Sequence, residues 1–516
     1  MDCNAPEKGI LSGLTVKLPE KYTGMPLAEA LRLEGFDIDF PCGGNGRCGK
    51  CGAVLVFEDG SEKTVKICRS TLERGTVSVR IPERIILGKS DPLIGKKSER
   101  GSAGNEPLGS GKNGERPSNE AFLAVDIGTT TVEAALCTKA GKDILYPFAT
   151  LNPQKKYGAD VISRIAFSQT EGGLEKLSSD IRQCINGMLE KCRKAFPELD
   201  VKEVFAAGNT TMQHLFLGVS PAGIGVYPFK PEFTETKRVS GQAIGVDAEK
   251  VTVLPSADAF IGADVVAGAA LAIKNDEGPA FFIDLGTNGE MVLKAGGKYY
   301  ATSSAAGPCF EGANISCGTG GIPGAISRVE RTGAGIELKT IWDREPQGIC
   351  GSGLISLISM LLRDDVIDET GLMEEDYRIK GLLGVGGAKA FADTGLSLTR
   401  KDVREFQLAK AAIRTGIEIL LERAGVSARD ILRVYTAGGL GAYINAADAV
   451  ATGIFPPEFE TKVEVKSNTS LLGAVAAGRN PGFISEAEAL ASEINSFSLN
   501  DDRDFNTRFV DNMYFE

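Results

Sequence analysis

Three cysteines fall within ten residues of one glycine loop, Cys42, Cys48 and Cys51 in FPCGGNGRCGKC (Phe40 to Cys51). Glycine packs nothing, so the clustering calls for a chemical reason, either a metal or a reactive thiol site. A fourth cysteine, Cys68, follows in KICRST and completes the spacing C-x5-C-x2-C-x16-C. In a reducing cytosol such thiols serve as metal ligands rather than disulfide partners.

Three close thiolates and one distant one resemble the ligand set of a plant-type [2Fe–2S] ferredoxin, whose usual spacing is C-x4-C-x2-C…C. Here the first gap is one residue longer. Glycines let backbone N–H groups approach the cluster sulfides, and Arg47 and Lys50 add positive charge. The competing reading is structural zinc, which prefers two C-x2-C pairs where this chain has one.

A second chemistry appears further along. FLAVDIGTTTVEAALC (Phe122 to Cys137) reads as strand, tight turn, strand, and FFIDLGTNGEMVL (Phe281 to Leu293) repeats it. Each copy ends a buried strand on an aspartate, Asp126 or Asp284, and follows it with glycine and small polar residues. Backbone N–H groups of such turns can cradle phosphates, at Gly128, Thr129, Thr130 and Thr131 and at Gly286, Thr287, Asn288 and Gly289. The aspartates can hold Mg²⁺ and the attacking water. AAGNTTMQHLFLG (Ala206 to Gly218) places Asn209 and Thr210 at a helix N-terminus, where an anion is favoured. VYTAGGLGAYIN (Val434 to Asn445) supplies a glycine turn after a strand, Gly438, Gly439 and Gly441, suited to the adenosine side of a nucleotide. No G-x4-G-K-[ST] loop is present. His214, the single histidine, sits on an apolar helix face and reads as structural. Cys309, Cys317 and Cys350 fit no cluster spacing and read as small buried residues. GICGSGLISLISML (Gly348 to Leu361) opens a helix on glycines that receive a phosphate or pack closely on a neighbour.

The elements that must position these groups fall into several domains, as 516 residues require. LTVKLPE, AVLVFEDG and TVSVRIPE read as strands and MPLAEALRLEG as a helix, so residues 1–87 form a small α+β domain around the cysteine loop. Residues 88–119 are rich in Gly, Ser, Lys and Pro and read as a flexible linker. Residues 120–279 and 280–516 each carry one aspartate hairpin, the second with a C-terminal tail. The net charge of −11 argues against nucleic-acid or anionic-membrane binding. No apolar run near 18 residues occurs, and the N-terminus lacks a signal-peptide pattern, so a cytoplasmic location is expected.

The two hairpins and the glycine turn resemble the acetate and sugar kinase, Hsp70 and actin superfamily. That resemblance implies a C-terminal α/β ATPase of two RNase H-like halves around a cleft. The N-terminal cysteines imply a β-grasp [2Fe–2S] ferredoxin. In this order, with GNTTM, EGANISCG, CGSGLI and AGGLGAYIN, the chain resembles the reductive activators of corrinoid-dependent methyltransferases. The resemblance implies ATP-dependent reduction of a Co(II) corrinoid protein to Co(I), with a [2Fe–2S] cluster, ATP and Mg²⁺ as cofactors. It implies Cys42, Cys48, Cys51 and Cys68 as cluster ligands, and a ferredoxin or flavodoxin as electron donor. A homodimer through the ATPase domain stays open. Here the linker runs directly into FLAVDIG, without the small extra domain some relatives carry. Two other classes remain: an activator of a radical dehydratase, and a small-molecule kinase with a fused regulatory ferredoxin.

Overall fold

Residues 14–18, 22–33, 36–38, 52–81, 86–89, 119–141, 144–385 and 388–515 are described in a computed structural model. Cys42, Cys48 and Cys51, and residues 90–118 of the expected linker, lie outside the described residues. The chain divides into two units, residues 1–118 with 155–159 and residues 119–154 with 160–516.

The first unit runs β1 (Leu14–Val16), α1 (Leu27–Leu33), β2 (Phe36–Ile38), β3 (Gly52–Phe57), β4 (Glu62–Lys66), β5 (Thr76–Ile81) and β6 (Ile86–Lys89). Its main sheet has the order β1-β5-β3-β4, antiparallel throughout, and β2 pairs with β6. Leu27, Ala30 and Leu31 of α1 share a core with Val16, Leu55, Val79 and Ile81 of the sheet. β4 escaped the sequence reading because it is an edge strand that buries only Val65.

The second unit is built twice on one plan. Its first half runs β7 (Glu120–Ile127), β8 (Thr131–Thr138), β9 (Ile144–Leu151), α2 (Val161–Ser168), α3 (Gly173–Ala195), β10 (Asp200–Gly208), α4 (Thr210–Leu217), β11 (Lys237–Ser240), α5 (Gly241–Ile244), β12 (Lys250–Val253) and α6 (Ala263–Ala272). The sheet order is β11-β12-β10-β7-β8-β9. β7, β8 and β9 form an antiparallel meander, and β10 and β12 continue parallel to β7.

The second half begins with another meander, β13 (Ala280–Leu285), β14 (Gly289–Ala295) and β15 (Lys298–Ser304). A separate five-stranded sheet then intervenes, made of β16 (Ala325–Thr332), β17 (Gly335–Thr340), β18 (Gly348–Ile349), β19 (Tyr377–Val385) and β20 (Ala388–Leu398), with α7 (Gly351–Arg363) inserted between β18 and β19. After α8 (Arg400–Ala424) come β21 (Arg433–Ala437), the short α9 (Gly438–Gly441), α10 (Ala446–Ala451) and β22 (Val463–Val465). The chain closes with α11 (Thr469–Arg479), α12 (Pro481–Glu493), β23 (Ile494–Ser496) and α13 (Phe505–Asp511). The sheet order is β22-β21-β13-β14-β15-β23, with β21 parallel to β13 and β22 parallel to β21. The five strands β9-β8-β7-β10-β12 and β15-β14-β13-β21-β22 therefore share order and direction. β7 and β13 are buried along most of their length, which is why they read as continuous apolar runs.

Two helices of small residues fasten the halves. α6 and α11 share a core with Phe122 and Phe205 of one sheet and Phe282 and Val292 of the other. A Cβ on Gly473 would stand 2.4 Å from the Ala267 Cβ, so these helices meet at a spacing only glycine permits. α11, far along the chain, thereby reaches the ends of β7 and β10, beside the first hairpin.

Candidate functional site

The first hairpin turn lies between β7 and β8. A Cβ on Gly128 would fall 2.6 Å from the Thr131 carbonyl oxygen, so the turn closes only on glycine. Its carbonyls are held from beneath. Asn152 Nδ2 donates to Gly128 O (2.8 Å), the Asn152 N–H donates to Thr130 O (2.9 Å), and Arg164 Nη2 donates to Thr129 O (2.6 Å). Asn152 and Arg164 are buried, and burial lowers the guanidinium to about 10.

Asn209 caps α4, its Oδ1 accepting from the Met212 N–H (3.0 Å), and its Nδ2 donates to Thr129 Oγ1 (3.1 Å). The helix start is thereby tied to the first turn. The Thr210 hydroxyl is buried and donates to Asp258 O (2.6 Å), which leaves its backbone rather than its side chain for any ligand. Gly262, just before α6, allows Asp264 to join them. A Cβ there would lie 2.5 Å from Asn209 Cα.

Strand register duplicates the acids. Asp126 pairs across the first hairpin with Glu133, and Asp284 across the second with Glu290. Asp126 Oδ1 accepts from Ser470 Oγ (2.7 Å) and Oδ2 from Asn468 Nδ2 (2.8 Å), which also donates to Glu133 Oε2 (3.1 Å). Both donors come from the start of α11, which Asn468 caps. Asp126, Asp264 and Asp284 are recessed in the cleft wall, and enclosure dominates their titration. Desolvation raises Asp126 to about 7, although Ser470 and Asn468 pull it down while Asp264 and Glu133 add repulsion. Desolvation raises Asp264 to about 6. Asp284, which desolvation and then Asp264 and Asp126 oppose, rises to about 8. Glu290 is held well above the ordinary glutamate range by burial and then by Asp264 and Asp284. Among the described residues no three His, Cys, Asp or Glu side chains converge closely enough to hold a metal ion by themselves, so a divalent cation here would take one or two of these carboxylates together with bound phosphates.

The third turn arrives from β21. Gly438 has φ +82°, and a Cβ on it would lie 2.2 Å from Asp284 Oδ1 and 2.7 Å from Leu285 O. Gly441 supports the turn by accepting from Thr436 Oγ1 (2.9 Å), whereas Gly439 is exposed with open space around its Cα. In the second hairpin, a Cβ on Gly289 would meet Ser304 Oγ at 2.9 Å, and Asn288 Nδ2 donates to Glu290 Oε1 (3.0 Å). Glu311 crosses between the hairpins. Its Oε1 accepts from Thr287 Oγ1 (2.5 Å) and its Oε2 from Thr130 Oγ1 (3.4 Å).

The fold thus brings Asp126, Asp284, Asn209 and both turns to one cleft, with Gly438 against Asp284. Sequence reasoning missed Asp264, Glu133, Glu290, Glu311, Asn468, Ser470 and Arg164. Glu133 and Glu290 could have been found, since each follows its hairpin aspartate at the spacing that puts it opposite in register. The helix start at Gly351 packs rather than binds. A Cβ there would be 2.2 Å from Phe310 O, and one on Gly353 2.0 Å from Ile326 O. His214 is buried and stacked on Phe233, with Nδ1 2.7 Å from Thr210 O and Nε2 accepting from the Glu232 N–H (3.1 Å). Cys309 and Cys350 are buried and Cys317 is half-buried. Cys68 lies in a 3-10 turn directly after β4.

A family model for the RACo middle region matches residues 122–274, and one for the C-terminal domain of RACo, the ASKHA domain, matches residues 278–516. The second half, with its sheet of β22-β21-β13-β14-β15-β23, is therefore an ASKHA domain. The corrinoid activation enzyme RamQ of Eubacterium limosum is 32% identical over 404 residues, 72% of this chain and 66% of that protein. The [Co(II) methylated amine-specific corrinoid protein] reductase of Methanosarcina barkeri is 27% identical over 393 residues, 68% of each chain. The match thus spans about two thirds of the length of either relative. A solved structure, a reductive activator for corrinoid, iron-sulfur protein, superposes with a TM-score of 0.69 at 26% identity, covering 97% of this chain and 96% of that one. The chain belongs to the family of reductive activators of corrinoid proteins. Among the described residues no helix is long and apolar enough to cross a membrane.

Proposed function

We propose that this protein spends ATP to place one low-potential electron on a corrinoid protein, reducing Co(II) to Co(I). The observation that carries the reading is the carboxylate-lined cleft between two matching hairpins, in a chain of the corrinoid-activator family. Asp126 and Asp284 hold Mg²⁺ jointly with the nucleotide's phosphates, with Asp264 and Glu290 adding negative charge nearby. Their raised titration fits that assignment, because a bound divalent ion lets them ionise at neutral pH. Backbone N–H groups of Gly128 to Thr131 and Gly286 to Gly289 receive the phosphates. Gly438, Gly439 and Gly441 admit the adenosine side. Asn209 orients the first turn through Thr129, and Thr210 offers a backbone N–H at the start of α4.

Residues 1–87 act as the electron carrier, with Cys42, Cys48, Cys51 and Cys68 holding a [2Fe–2S] cluster. The fit rests on register. Gly52, the first residue of β3, pairs with Lys66, the last residue of β4 and two residues before Cys68. The cluster supplies a one-electron relay between a ferredoxin or flavodoxin and the cobalt. The linker, read as residues 88–119, starts after β6, which runs to Lys89, and tethers this domain to the two ATPase halves, 120–279 and 280–516. A cytoplasmic setting, where thiols stay reduced, fits such thiolate ligands.

ATP is needed because the transfer is uphill. Each ~59 mV against a single electron costs a factor of ten, about 1.4 kcal/mol. Binding of the activator eases reduction of the cobalt, and nucleotide turnover then releases the partner. The reading is tested by ATP hydrolysis in the presence of Co(II) corrinoid protein from the source cell. Stimulation by that protein, and none by sugars or small acids, is expected. Stimulation by a metabolite alone would point to a kinase instead.

A further inference from the structure

We propose that Glu311 is an internal stand-in for the terminal phosphate of the nucleotide, latching the cleft until ATP displaces it. The inference rests on the reading of the two hairpins as a nucleotide site and adds how that site is regulated. Thr130 belongs to the first turn and Thr287 to the second, and both donate their hydroxyl to the one carboxylate. A threonine hydroxyl has a single proton to give. While Glu311 accepts both, neither hydroxyl can donate to a phosphoryl oxygen. A carboxylate and a terminal phosphate present the same features here, negative acceptor oxygens with no proton to offer.

The backbone beneath Glu311 is fixed. It ends a 3-10 turn, Pro308–Glu311, bounded by Gly307 (φ +75°) and Gly312 (φ +79°). The Gly312 N–H donates to Cys309 O and the Ala313 N–H to Pro308 O. Cys309 and Phe310 are buried, and the Phe310 ring meets Phe406 edge-on, with centroids 5.7 Å apart. Release therefore needs only rotation of the half-buried Glu311 side chain. Its position also selects which phosphate it mimics. The glycine turn at Gly438 stands against Asp284 and Leu285 of the second hairpin. A nucleotide seated there extends toward the first hairpin, so the phosphate within reach of both threonines is the one farthest from the base.

A latched site has its apparent affinity reduced by the fraction of molecules in which the latch is open. The test is calorimetry on the full chain with Mg-AMPPNP and MgADP, comparing the parent with Glu311→Asp and Glu311→Gln. Aspartate keeps the charge but is one methylene too short to span both hydroxyls, and glutamine keeps the length but loses the charge. Both should bind AMPPNP about tenfold or more tightly than the parent, the scale of one lost charge-assisted hydrogen bond. ADP affinity should change less than about twofold. Unchanged or weakened AMPPNP binding in the aspartate variant, with a melting temperature equal to the parent's, would overturn the latch. Equal tightening of ADP and AMPPNP would overturn it too, by reducing the effect to general charge. A parent that binds neither nucleotide would instead remove the nucleotide reading on which the latch depends.

Discussion

Replacing Asp284 by asparagine should stabilise the nucleotide-free protein while abolishing ATP turnover. Asp284 rises from the ordinary aspartate value of 3.8 to about 8, mainly through desolvation and then through Asp264 and Asp126. Four pKa units at ~1.4 kcal/mol each set an upper bound of about 6 kcal/mol for carrying the charge unaided. Its partly exposed edge and the sharing of protons among neighbours reduce this to about 2 kcal/mol. The folded pKa lies above the unfolded one, so folding favours the protonated acid. The penalty is absent below pH 3.8, grows as pH rises, and is complete above about pH 8. Asparagine is nearly isosteric, so it preserves the close approach to Gly438 and cannot ionise. Thermal melts of parent and Asp284→Asn, with EDTA and without nucleotide, should converge as the pH falls toward about 4 and separate by about 2–4 °C at pH 8.5, the variant higher. Mg²⁺ should raise the parent's midpoint at pH 8.5 and leave the variant's nearly unmoved. A variant that melts below the parent at pH 8.5, or tracks it at every pH, would refute the claim that this carboxylate is held in the site at a cost.

Ser470→Ala removes a donor to Asp126, so the carboxylate should become harder to ionise, and the acidic limb of kcat/KM for ATP should move up by about one pH unit; an unmoved limb would contradict the assigned role of Asp126. Arg164→Met deletes the 2.6 Å bond beneath Thr129, and should cost about 2–3 kcal/mol of stability together with weaker nucleotide binding. Unchanged melting and affinity would show that the first turn needs no such support. Cys68→Ser should lose most of the iron, measured colorimetrically, and keep basal ATP hydrolysis. Parent-level iron in that variant would remove Cys68 from the ligand set.

The hairpins were legible because their chemistry is local. An aspartate, a glycine and hydroxyl residues within six positions give both the turn and its purpose, and the order recurs at Asp126 and Asp284. The plan of the two sheets followed from that recurrence. What completes the site is not local. Ser470 and Asn468 reach Asp126 across 344 and 342 positions, and nothing near them in KSNTS marks an active-site partner rather than a helix cap. Asp264 opens an alanine-rich helix whose composition speaks only of close packing. Glu311 sits in a glycine-rich stretch whose cysteines drew the attention. Its meaning comes from Thr130, 181 positions away, and Thr287. The glycines of α7 were ambiguous between phosphate and packing, and the carbonyls of Phe310 and Ile326 decide for packing. The five-stranded sheet from β16 to β20 had no clear periodic signal, because its strands are largely half-exposed.

The central claim is that this chain drives one electron onto a corrinoid at the expense of ATP. It is tested most directly by following the Co(II) EPR signal of a partner corrinoid protein under anaerobic conditions, with the chain supplied by a low-potential reductant. With MgATP the signal should disappear and the Co(I) absorption rise by one equivalent per cobalt. Omission of ATP, or the Cys68→Ser variant, should leave Co(II) in place. Reduction that proceeds equally well without ATP or with the Cys68→Ser variant would contradict the account.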